Sequence, residues 1–111
     1  MTLGEWLGQR TPPPPPALRR GVEQALGESL ALEATSAADA CLACAERLIT
    51  ALLRSDCTSR ELALDLLTAD ALVTYAFEAA GESPAGLATR AAESMRRIAA
   101  LGVAQREGAT A

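Results

Sequence analysis

Apolar residues recur along most of this chain at intervals of three and four, the spacing of one face of an α-helix. The pattern is cleanest from Ala37 to about Arg54. There Ala38, Cys41, Leu42, Ala45, Leu48, Ile49, Leu52 and Leu53 share one side, while Asp39, Glu46, Arg47, Thr50 and Arg54 share the other. Thr35 and Ser36 suit its N-cap, and Asp39 in the first turn complements the helix dipole. An earlier stripe, Leu18, Val22, Ala25, Leu26 and Leu32, predicts a helix opening at Ala17 directly after a proline. Gly21 and Gly27 weaken that helix by up to about 1 kcal/mol each relative to Ala, so its end falls at Gly27 or at Leu32. Near the C-terminus, Ser83 and Pro84 read as an N-cap and first helical residue. The helix that follows, to about Leu101, has a stripe of Leu87, Ala91, Met95, Ile98 and Leu101, with Arg90, Arg96 and Arg97 on its polar side. Gly102 is the expected stop and residues 105–111 a frayed tail.

The remaining helix, from Thr58 or Ser59 to about Ala80, is apolar on too many sides for an ordinary surface helix. Leu62, Leu66, Ala69, Val73, Ala76, Phe77 and Ala80 make one stripe at helical spacing. Leu64, Leu67, Ala71 and Tyr75 make a second, and the acids Glu61, Asp65, Asp70 and Glu78 are scattered instead of forming a solvent face. Such a helix is either central in its own bundle or part of a subunit interface. Gly81 is placed to end it.

The first residues, Thr2 to Gln9, place Leu3, Trp6 and Leu7 on one side of a short helix. A helix of this length is marginal in water, so it must dock, with Trp6 as anchor, or remain a mobile arm. Five consecutive prolines, Pro12 to Pro16, then exclude helix and favour an extended polyproline II segment. This run reads as a spacer that separates residues 1–16 from a helical domain over residues 17–104. A proline tract of this kind is also a ligand type for aromatic-lined grooves. The whole pattern predicts an all-α protein: a small antiparallel bundle of about four helices with a short N-terminal helix and a polyproline spacer.

Composition supports that class. Of 111 residues half are apolar, yet Trp6, Tyr75 and Phe77 are the only aromatics, so the core must be built from Leu and Ala. The length allows one hydrophobic core. All ten basic residues are Arg; together with heavy use of Ala this matches the codon bias of a GC-rich genome. A net charge of −4 and dispersed cations argue against nucleic acid as a partner. No apolar run reaches the roughly 20 residues that span a bilayer, and Glu5 and Trp6 stand where a secretory signal needs a basic start, so a cytoplasmic location is expected.

The absence of His removes imidazole as a base, metal ligand or pH switch, and it excludes the Glu-x-x-His di-iron chemistry of helical bundles. Cys41, Cys44 and Cys57 are too few for a secreted disulfide scaffold and one ligand short of a zinc or iron–sulfur site, so no cofactor is expected. Cys41-x-x-Cys44 has the spacing of a thiol-redox pair. It comes well inside the predicted helix, however, where the dipole does not stabilise a thiolate and where Cys41 belongs to the apolar stripe. Among the carboxylates, Asp70 flanks the main stripe of its helix and would need a partner if buried.

The segment Leu66–Ala80, LLTADALVTYAFEAA, is locally similar to a helix of isoprenyl diphosphate synthases that carries a G-D-x-L…A-F pattern and lines an apolar chain pocket. Ala69 stands in place of the Gly and neither aspartate-rich magnesium motif is present, so the similarity implies no such catalysis.

Three functional readings follow. The preferred one is a non-enzymatic helical protein that self-associates or binds another protein through Leu64, Leu67, Ala71, Tyr75 and Trp6. The second is a small apolar-ligand binder lined by Leu66, Val73, Phe77, Leu87 and Met95. Thiol redox through Cys41 and Cys44 is the third.

Overall fold

The computed structural model of the chain describes residues 1–55, 60–82 and 87–110, leaving aside the side chains of 87, 90 and 107–110. The fold is all-α. Its helices among the described residues are α1 (Leu3–Gly8), α2 (Pro16–Leu26), α3 (Ala37–Leu53), α4 (Arg60–Gly81) and α5 (Leu87–Thr110), with short 3-10 turns at Gly27–Ala31 and Ala34–Ser36. The expected caps Thr58 and Ser59 of α4, and Ser83 and Pro84 before α5, lie outside the described residues, as does Cys57.

Helices α3 and α4 are joined by a short connection and form the most extensive pair, a helical hairpin around which the rest is arranged. Helix α2 lies across α4, and α5 packs more against α3 than against α4. Proline opens α2 at its first position, and Gly27 ends it with φ +51°, a left-handed conformation that a side chain resists. Of the two ends expected for that helix, Gly27 is the one observed.

Helix α3 starts at Ala37, but neither Thr35 nor Ser36 caps it with its side chain. Ser36 occupies the N-cap position without a cap hydrogen bond, and the 3-10 turn of Ala34–Ser36 leads directly into the helix. At the other end of the chain, Gly102 does not stop α5, which continues to Thr110. One glycine costs a helix about 1 kcal/mol, and the residues after it are helix-compatible.

The N-terminal segment is integral to the core. Leu3 is fully buried and Trp6 is 3% exposed, both in the same apolar cluster as Val22, Leu26, Cys41, Leu42, Ala45 and Leu72. Thr2 and Glu5 form a reciprocal capping box that starts α1. The chain before it pairs with residues 32–34: the Leu3 amide donates to the Leu32 carbonyl at 2.7 Å and the Ala34 amide to the Met1 carbonyl at 2.9 Å. A six-residue helix is too short to persist alone, so this backbone pairing and the buried Trp6 supply the tertiary contacts it needs.

Candidate functional site

The buried arc of α4 consists of Thr68, Ala69, Leu72, Ala76 and Ala80. Leu72 is fully buried, although it belongs to neither stripe read from the sequence. At 100° per residue the two stripes are the flanks of a single broad arc, each centred about 90° to one side of Leu72. The Leu72 side enters the core beside α3. On one flank Ala71 and Tyr75 pack against that core, where Trp6 of α1 meets the Tyr75 ring edge to face at 6.4 Å and 88°. On the other flank Val73 borders the core and half-buried Phe77 faces α5. The C-terminal half of α4 is therefore central in its own bundle.

The N-terminal half is not. Leu66 and Leu67 lie about 120° and 140° from Leu72 on opposite sides and meet on the outward face; they are 61% and 56% exposed. Ala63 beside them is exposed and Leu64 half-buried, and Leu53, at the end of α3 nearest this half of the hairpin, is exposed as well. Of the five residues expected at an interface, Leu64 and Leu67 are thus at or near the surface. Ala71 is half-buried, and Trp6 and Tyr75 are committed to each other inside the molecule.

Trp6 also anchors a polar cluster. Its indole Nε1–H donates to Glu82 at 2.9 Å, and the Arg10 guanidinium stacks on its ring at 3.9 Å from the centroid. Arg10 donates through Nε to the Trp6 carbonyl at 3.2 Å and reaches Glu78 and Glu82 at 3.6 and 3.7 Å. These contacts fasten the end of α1 to the end of α4. Sequence reading finds Trp6 as an anchor but not Arg10, Glu78 or Glu82, because the pairing joins residues more than sixty positions apart.

Among the described residues, those expected to line an apolar pocket do not converge. Leu66 and Met95 (57% exposed) point to solvent, and the side chain of Leu87 lies outside the described residues. Phe77 instead lines a small cleft of about 40 Å³ with Ala38, Leu42, Ser94 and the charged Asp39, Glu93 and Arg97. Helix α5 approaches through Ala91, Ser94, Ile98, Leu101 and Gln105, all half-buried, and Arg97 pairs with Glu46 of α3.

Both Cys41 and Cys44 are buried as free thiols. Burial, reinforced by Cys44 alongside, pushes the Cys41 thiol from 9.0 up to about 12. Burial also raises Cys44, more than the neighbouring Arg47 lowers it. A thiol so protonated is a poor nucleophile, and this one packs as a small apolar side chain. Asp70 is exposed and so carries no burial penalty. Among the described residues no group of three acids or thiols is placed to hold a metal, and no helix is long and apolar enough to cross a membrane. Comparison of the chain with models of protein families, with curated proteins and with solved structures found no match.

Proposed function

We propose that this chain is a non-enzymatic helical protein that works by protein–protein contact, self-association included, through the outward leucines of α4. The observation that carries this reading is the exposure of Leu66 and Leu67, neighbours on one helix, at 61% and 56%. Covering a leucine side chain completely is worth about 1.5–3 kcal/mol, so two of them beside Leu64 and Leu53 offer a partner several kcal/mol that folding leaves unused. Trp6 and Tyr75 fall outside this surface because their rings pack on each other, and Ala71 because it packs against the core. The contact surface is accordingly smaller than the two-sided helix suggests, and it lies at the hairpin end where α4 begins.

The test is sedimentation of the full chain from low to high micromolar concentration, alone and as the Leu66→Asp/Leu67→Asp variant. Concentration-dependent association that the variant abolishes, with helix content unchanged, is the expected result. A chain that stays monomeric throughout and retains no protein partner on affinity purification overturns the reading.

A further inference from the structure

The five prolines are more than a connection. Every residue from Pro12 to Pro15 is a proline followed by a proline, so its own ring fixes φ near −65° and the next ring holds ψ in the extended region. Pro15 shows the outcome, with φ −55° and ψ 149°, the polyproline II conformation. That helix has three residues per turn and rises about 3.1 Å per residue, so Pro12 to Pro15 make a rod of about 12 Å with three edges.

The structure orients those edges. Pro14 is half-buried and faces inward, lining a small recess with Leu7, Val22 and Tyr75. Pro12 and Pro15 occupy a second edge and Pro13 a third, all three exposed, while Pro16 is already the first residue of α2. Both ends of the rod are held, upstream by docked α1 and downstream by α2, which begins at Pro16. Two proline edges presented outward on a rod that is already ordered is the form that aromatic-lined grooves recognise, and little entropy remains to be lost on binding.

Charge around the rod is equally distinctive. In a chain of net charge −4, no acidic residue occurs between Glu5 and Glu23, while Arg10, Arg19 and Arg20 do; of these, Arg10 is held by Glu78 and Glu82, which leaves Arg19 and Arg20 beside the rod. Arg19 borders the same recess as Pro14 together with Glu23, to which its Nε donates at 2.8 Å, and both Arg19 and Arg20 are exposed in the first turns of α2. We propose that Pro12–Pro16 with Arg19 and Arg20 is a docking ridge for a partner domain whose aromatic-lined groove binds polyproline II and carries an acidic rim. This surface is separate from the leucines of α4.

The experiment titrates ¹⁵N-labelled full-length chain with isolated SH3, WW and EVH1 domains as probes. At least one is expected to shift the amide signals of Thr11 and of Ala17 to Arg20 saturably, in the micromolar range. Pro12→Ala/Pro15→Ala, which removes one outward edge and keeps Pro14, is expected to weaken that binding by about tenfold or more. Arg19→Gln/Arg20→Gln is expected to weaken it and to flatten its salt dependence. Unchanged Trp6 emission in each variant establishes that α1 stays docked, and the arginine variant carries the test if the proline variant does not fold. The proposal is overturned if none of the three probes gives a saturable shift, or if binding is indifferent to whichever of these substitutions leaves the fold intact.

Discussion

Gly21 of α2 and Thr68 of α4 mark a helix crossing so close that a methyl group built on Gly21 would lie 2.6 Å from Thr68 Oγ1. Thr68 cannot easily yield. It is 2% exposed, its hydroxyl donates to the Leu64 carbonyl at 2.9 Å, and a β-branched side chain is stiff at χ1. Gly21→Ala would gain about 1 kcal/mol of helix propensity in isolation. Here the steric cost is expected to exceed that gain, giving net destabilisation of about 1–3 kcal/mol. Thr68→Ala alone should cost about 1 kcal/mol, and Gly21→Ala/Thr68→Ala should be more stable than the two single effects add up to. Urea unfolding of the four proteins checks this.

The clasp at Trp6 makes a second prediction. Trp6→Ala removes the largest side chain that α1 places in the core and is expected to cost about 3–5 kcal/mol in urea unfolding. Glu82→Ala removes the indole's acceptor and one partner of Arg10, and is expected to cost about 0.5–1.5 kcal/mol. Because Trp6 is the only tryptophan, its emission reports on α1 directly. The wild-type signal should be blue-shifted and protected from acrylamide, and the Glu82→Ala variant should be quenched more readily.

Leu72 and Leu66 are one residue type on one helix with opposite fates: fully buried and 61% exposed. Leu72→Ala is expected to destabilise the fold by about 2–5 kcal/mol, and Leu66→Ala by no more than about 0.5 kcal/mol. Thermal or urea unfolding separates them, and equal effects would refute the placement of α4. The contrast also shows what was legible in the sequence. Helix periods located α2, α3 and most of α4 and α5, because burial on one side dictates spacing. They could not find the centre of a broad buried arc, since apolar residues on both flanks of Leu72 look like two separate faces. Nor could they tell that α1 was docked. Its attachment depends on pairing with residues 32–34 and on Glu78 and Glu82, contacts that local spacing does not encode.

The buried thiols link stability to alkaline pH. An unfolded Cys41 loses its proton above the ordinary value of 9.0, whereas the folded thiol keeps it until about 12. Between those values the unfolded state binds fewer protons than the native state, so stability falls as pH rises, with a slope of at most about 1.4 kcal/mol per pH unit for one thiol. Below pH 9 the thiol contribution is fully present. Cys44 and Tyr75, both raised chiefly by burial, act in the same direction. Urea midpoints should therefore drop as pH rises from about 9 toward about 12, and Cys41→Ala should show a shallower drop. In a Cys57→Ser background, a thiol reagent at neutral pH should modify Cys41 and Cys44 only as fast as the protein opens.

Helix α5 is attached differently from its neighbours. Its described side chains are at most half-buried, whereas α3 buries Ala37, Cys41, Leu42, Cys44 and Ala45. Ile98 is its contact with the core cluster, and the Arg97–Glu46 pair, with its arginine 37% exposed, adds a fraction of a kcal/mol once solvent screening is counted. Residues with few buried contacts open at lower free energy than the global unfolding reaction. Amides of α5 are expected to exchange with solvent at least about tenfold faster than those at the centre of α3, through an opening that leaves the α3–α4 hairpin folded. Ile98→Ala should accelerate exchange across α5 with little change in α3, while Leu72→Ala should accelerate both. Hydrogen exchange read by NMR or mass spectrometry distinguishes these outcomes. Uniform protection across all helices would instead mean that α5 unfolds only together with the core.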